Sequence, residues 1–213
     1  MNYELNQISR FCNFSCVSYS SIMWDGIDTK DENGYPCKII LCNIYIEMVL
    51  ATKVPVRYVP KRLTNKDKKK QIRMLMMSRR LYKKKKYYTR KEVPSYKSKT
   101  SSHIKDACRI YKVENVDPNK ELAMKTGCTI GALRKIVSKG EGAYFSSGSR
   151  PNQTAQSWGL ARLASSITGG KSAAVDYEII KNGCNHAKRA FKMATNAKRK
   201  YKYGQSSTKK VKI

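Results

Sequence analysis

Residues 168–172 read Thr-Gly-Gly-Lys-Ser, the lysine and hydroxyl with which a phosphate loop grips a nucleotide. That loop also needs a glycine five positions before Gly170. The chain has Ser165 there, and the residues before it read as helix rather than strand, so nucleotide binding is not expected. The two histidines, His103 and His186, lie in basic helical surroundings without an obvious carboxylate partner, which argues against a Ser–His or Cys–His nucleophile. Glu141, Asp176 and Glu178 are too few, and too irregularly spaced, for metal-dependent phosphoryl transfer. No enzyme, no cofactor and no metal is therefore expected.

The stretch 144–162, YFSSGSRPNQTAQSWGLAR, concentrates groups that could bind or brace. Arg150 and Arg162 can each donate several hydrogen bonds, Pro151 stiffens the chain and Trp158 offers a large apolar anchor. Two readings stay open: the arginines are struts to loop carbonyls, or one of them holds a phosphate or a partner's carboxylate. The strut reading is preferred.

Charge is the strongest compositional signal. The 213 residues hold 44 Lys+Arg against 15 Asp+Glu, a formal net charge of +29, so a polyanionic partner is expected. Nucleic acid comes first, DNA before RNA, and an acidic capsid surface or an anionic membrane second. The excess is uneven. Residues 1–52 carry 3 Lys+Arg against 6 acids, 53–112 carry 22 against 3, 113–184 carry 9 against 6, and 185–213 carry 10 against none. Four segments follow: an N-terminal cysteine-containing piece (1–52), a basic helical and extended arm (53–112), a compact helical module (113–184), and a basic helix with a disordered tail (185–213). Candidate nucleic-acid contacts are Lys68, Lys69, Arg79, Arg80, Lys83, Lys84 and Arg90 in the first arm, Arg134 and Lys135 in the module, and Lys188 and Arg189 in the second arm.

Four of the seven cysteines (Cys12, Cys16, Cys37, Cys42) fall in the first segment, but their spacing lacks the C-x2-C knuckles of common zinc ribbons. Free thiols in a reducing interior are the expectation for all seven. The sequence shows no signal peptide. The most apolar run, 37–51, contains Asn43 and Glu47 and is shorter than the roughly 20 residues a spanning helix needs, so no membrane association is expected. Basic character begins after Met48, which could serve as an internal start of translation.

The elements that must position these residues read as helices. Thr64 starts one, with Asp67 three residues on and Ile72, Leu75, Met76 and Arg79 along one face. Tyrosines interleaved with Lys and Arg over 87–96 suit contact with a single strand as well as an ordinary basic loop. Ser101 or Ser102 can cap a short helix with Ile104, Ala107, Cys108 and Tyr111 inward. Asp117-Pro118 reads as the next helix start, Gly127 as its end and Thr129 as the cap of a helix over 130–140. A small Ala123, a turn Gly127 and then Ile130, Leu133 and Ile136 give the spacing of a helix-turn-helix, with Arg134, Lys135, Ser138 and Lys139 outward. The same spacing also packs helical hairpins that never meet DNA. A Gly/Ser-rich connection over 139–154 precedes a helix capped by Thr154, then one over 171–183, then a last helix with Ala187, Ala190, Phe191 and Ala194 inward.

The segment GAYFSSGSRPNQTAQSWGLARLASSITGGKSAAVDYEI resembles an uncharacterised domain family of large eukaryotic DNA viruses and tailed phages. Its signature is an aromatic residue, S-x-R-P, T, W, A-R and a later Asp. The matching positions are Tyr144, Ser149, Arg150, Pro151, Thr154, Trp158, Ala161, Arg162 and Asp176, within a resemblance spanning roughly 55–184. It implies a viral origin and little chemistry. The fold expected is mainly α, a small helical domain with a helix-turn-helix-like hairpin flanked by basic arms. The function expected is non-specific nucleic-acid binding by a virion protein, made in the host cell interior. A minor capsid or cement protein and a helix-turn-helix transcriptional regulator are the alternatives.

Overall fold

The computed structural model describes residues 53–202 and 209–212; the readings made for the cysteines of residues 1–52, Met48 and the apolar run 37–51 lie outside them. The described residues are mainly helical, with eight α-helices and one pair of short strands. The helices are α1 (Asn65–Lys83), α2 (Ser102–Tyr111), α3 (Lys120–Thr126), α4 (Ile130–Ser146), α5 (Ala155–Ile167), α6 (Lys171–Val175), α7 (Tyr177–Gly183) and α8 (Arg189–Tyr201).

Local chemistry explains most boundaries. Thr64, Thr129 and Thr154 each accept a hydrogen bond from a backbone N–H of the first turn, and Ser157 returns the bond to Thr154 in a full capping box. Gly127 closes α3 at φ +73°, a left-handed conformation that glycine adopts without strain. The third helix starts later than its sequence suggests. Asn119 is the cap, its Oδ1 accepting from Leu122 N at 2.8 Å, and Asp117-Pro118 form the approach. An Asx side chain one residue before the first turn outcompetes proline as the start signal.

The fourth helix is the larger correction. Gly140 and Gly142 read as a break, yet α4 runs through both to Ser146. The reason lies in the partner helix: a Cβ on Gly140 would sit 2.6 Å from Gly159 Cα, and one on Gly159 would sit 2.9 Å from Val137. The two glycines let α4 and α5 cross backbone against backbone, and that close packing offsets their helix cost of about 1 kcal/mol each.

The main core gathers Leu122, Leu133, Ile136, Leu163, Ile167 and Ile180, all fully buried, with Ala107, Ala164, Ala173, Ala190 and Ala194 between them. The small alanines allow helices to approach closely. The basic helix α8 is built into this core through Ala190, Ala194 and Ala197, while Ala187 lies outside the helix and exposed. Two smaller clusters flank the core. Val54, Tyr58, Val59 and Leu75 pack with half-buried Trp158, and Leu63, Met74, Val93 and Tyr96 form the other. In α1 the buried positions are Asp67, Gln71, Met74, Leu75 and Ser78, one step round from the stripe read in sequence.

Two further expectations are overturned. Part of the C-terminal tail is ordered: β2 (Lys210–Lys212) pairs antiparallel with β1 (Lys53–Pro55), Val54 opposite Val211. Its Lys-Val-Lys alternation has the period of a strand, and the pairing satisfies backbone groups that a tail leaves to water. The thiols are not all free either. Cys128 and Cys184 form a disulfide across an isolated antiparallel bridge, flanked by Thr129 N to Gly183 O and Asn185 N to Gly127 O, both at 2.8 Å. Folding brings two cysteines 56 residues apart into facing positions, which linear spacing could not show.

Candidate nucleic-acid interface

The signature stretch forms a structural knot. After α4, Gly148 turns the chain at φ +99°, where a Cβ would also meet Leu75 at 2.6 Å. Fully buried Ser149 donates from Oγ to Arg150 O at 2.8 Å and accepts from Arg90 Nη2 at 2.7 Å. Arg90 further donates from Nη1 to Ser78 Oγ (3.1 Å) and Tyr144 O (3.0 Å), and its guanidinium lies 3.6 Å from the centre of the Tyr144 ring. The buried Tyr144 hydroxyl accepts from Arg90 N at 3.1 Å. Pro151 is buried and Thr154 caps α5.

Two residues without a role in the sequence reading complete the knot. Asn152, at φ +55°, accepts from Val93 N (2.7 Å) and donates to Val93 O (3.0 Å) and Tyr96 O (2.6 Å), clamping the extended segment 93–96. Pro-Asn is a turn signal, and asparagine tolerates the left-handed region, so the sequence carried a hint. Gln71 donates to Tyr58 O at 3.1 Å and Ser149 O at 3.4 Å, and nothing in its spacing announces this.

The second brace joins α5 to the start of α7. Arg162 holds Asp176 in a bidentate pair, Nε to Oδ2 at 2.8 Å and Nη2 to Oδ1 at 2.7 Å. Ser166 donates to Oδ2 at 3.1 Å and Lys139 reaches Oδ1 at 3.0 Å. The Asp176 side chain is completely buried, so these four contacts replace its water. Arg162 is thus a strut. Arg150 is not, because its side chain projects into solvent.

Arg79 and Arg90, expected among the phosphate contacts, turn inward and are half-buried. Arg79 Nη2 donates to Ser147 O at 2.8 Å, while its Nε is buried without a partner. Among the described residues neither guanidinium has a carboxylate within ion-pair distance. Burial holds both below the usual arginine pKa, with the Tyr58 side chain opposing it at Arg79 and the Tyr144 side chain at Arg90. They serve the knot, held by carbonyl and hydroxyl oxygens and, for Arg90, by the face of the Tyr144 ring.

The remaining candidates are at the surface. Lys68, Lys69, Arg80, Lys83 and Lys84 are exposed along α1 and the turn after it, and Lys85 and Lys86 continue the run. Residues 68–91 contain no Asp or Glu. Arg134 and Lys135 are exposed on α4, whereas Lys139 beside them is engaged by Asp176. Lys188 and Arg189 are exposed at the start of α8, with the Lys188 stem lying over Gly127. Further along α8, Thr195, Lys198, Arg199 and Lys202 line an open recess with Tyr177.

The groups that suggested chemistry have structural surroundings. Thr-Gly-Gly-Lys-Ser joins the end of α5 to α6, with Gly169 at φ +71°. His186 contacts Lys181 O through Nε2 at 2.8 Å and stacks on Phe191, and His103 packs against Gly170. Among the described residues no three His, Cys, Asp or Glu side chains gather, and no helix is long and apolar enough to cross a membrane.

A domain so defined, helical and basic with an S-x-R-P knot at its centre, meets one known group of sequences. Residues 55–183 match a family of unknown function, DUF5824, and over more than half its length the chain belongs to that family. No curated protein and no solved structure matches it.

Proposed function

We propose that the protein binds nucleic acid without sequence preference through exposed lysines and arginines, the knot serving to fix the elements that display them. The observation that carries this reading is the acid-free run 68–91 on α1 and its turn, where Lys68, Lys69, Arg80 and Lys83–Lys86 all face solvent within a chain of net charge +29. The likeness of the signature to sequences of large DNA viruses and tailed phages extends the proposal to a virion protein in contact with the genome.

Affinity for random-sequence DNA, measured against salt, tests it. A protein making six to ten phosphate contacts loses roughly a thousandfold or more between ~50 and ~200 mM salt. Binding that is absent, or flat with salt, overturns the reading. In purified virions, cross-links to DNA support it, and cross-links confined to the shell favour a cement role instead.

A sequence-specific reader is the second reading, favoured by the α3–turn–α4 hairpin with Arg134 and Lys135 exposed on its second helix. It requires a base-selective footprint that Arg134→Ala weakens.

A further inference from the structure

Tyr87 is 71% exposed, yet its ring is not loose. Its plane is inclined 66° to Phe145 of α4, with centroids 5.0 Å apart, and 65° to Tyr82 of α1 at 6.1 Å, and those two half-buried rings are themselves nearly parallel. Tyr87 is therefore in contact with both neighbours without lying flat on either, and most of its surface stays open to solvent. The turn that delivers it is equally fixed: Lys84 N bonds Leu81 O, Lys85 N bonds Tyr82 O and Lys86 N bonds Leu81 O, all within 3.0 Å. Lys85 occupies the left-handed region at φ 57°, where glycine or asparagine is the less strained choice. Lys83–Lys86 are therefore displayed on a rigid turn beside the ring. On α4, the Glu141 stem packs against Gly159 of α5.

We propose that this surface binds single-stranded nucleic acid, with an unpaired base stacked on Tyr87 and the adjacent phosphates held by Lys83–Lys86. The inference rests on the nucleic-acid reading above and narrows it to one strand. A duplex keeps its base faces inside the helix and offers lysines its phosphates alone, so an exposed ring adds nothing to duplex affinity. A single strand offers both, and every base has a face to stack.

The test uses the full chain, a labelled oligothymidylate of ~16 nucleotides and a random duplex of the same length. Tyr87→Ala weakens oligothymidylate binding about tenfold or more. The same variant leaves duplex affinity and the salt dependence unchanged, and Tyr87→Phe or Tyr87→Trp retains single-strand binding. Thermal melting of Tyr87→Ala shows a single folding transition, lowered by no more than the loss of its two ring contacts. Equal loss on both nucleic acids, or no loss on either, overturns the stacking site while leaving charge-driven binding intact. Absence of binding by the unaltered chain to both overturns the nucleic-acid reading itself.

Discussion

A buried carboxylate is stable only while its partners remain, and Asp176 has four contacts that all come from other elements or from α5. Removing Arg162 leaves that charge short of its bidentate donor. Arg162→Ala is expected to cost about 3–5 kcal/mol in denaturant unfolding. Arg162→Lys should recover little, since one ammonium cannot reproduce two parallel N–H donors. Tyr111 gives a pH signature of its own. Burial raises its hydroxyl to about 12, Arg189 opposing, and the hydroxyl donates to Ile167 O at 2.6 Å. Because the folded value is raised, its contribution is complete below pH ~10 and is lost as pH climbs toward ~12. Unfolding free energies from urea titrations at pH 8 to 12 should fall in that window by on the order of 2 kcal/mol more for the unaltered chain than for Tyr111→Phe.

At the scale of elements, the α4–α5 crossing separates two kinds of glycine within one helix. Gly140 faces Gly159 backbone at a distance no side chain fits, while Gly131 has open space around it. Gly140→Ala should therefore destabilise by about 1–3 kcal/mol through overpacking. Gly131→Ala should stabilise by up to about 1 kcal/mol through helix propensity. Thermal melts of the two variants should shift in opposite directions, and a loss in both would sink the distinction. Helix starts were legible because threonine caps and their first turns are neighbours in sequence. The continuation of α4 was not, because the partner that makes Gly140 tolerable lies on another helix.

At the scale of the molecule, a covalent link among the described residues closes a long loop. The Cys128–Cys184 bond ties the turn between α3 and α4 to the end of α7 over 56 residues. A loop of that length corresponds to about 4 kcal/mol of unfolded-state entropy. Reductant should lower the melting temperature of the unaltered chain and leave that of a Cys128→Ser, Cys184→Ser double variant unmoved. The same scale decides what the basic segments are. The second of them divides: its first part is a core helix through Ala190 and Ala194, and its last described residues form a strand. The net charge of +29 is a sum over the whole chain, so the salt dependence that the proposed nucleic-acid binding requires is to be measured on the full chain.

The sequence by itself determined the helical class, the caps at Thr64, Thr129 and Thr154, the turn at Gly127, and the sign of the net charge. Each is a local or additive property, carried by neighbours in the chain or by a count. Only the tertiary structure decided which arginines are struts and which stay exposed. Arg79, Arg90 and Arg162 differ from Arg80, Arg134 and Arg150 in burial and partners, not in type. It also decided that Gly140 is a crossing, that Cys128 meets Cys184, and that Tyr87 stands propped beside lysines. Those facts depend on what approaches from elsewhere along the chain, as Asp176 does for Arg162 across 14 residues and Ser149 does for Gln71 across 78. Spacing along a chain does not encode that distance in space.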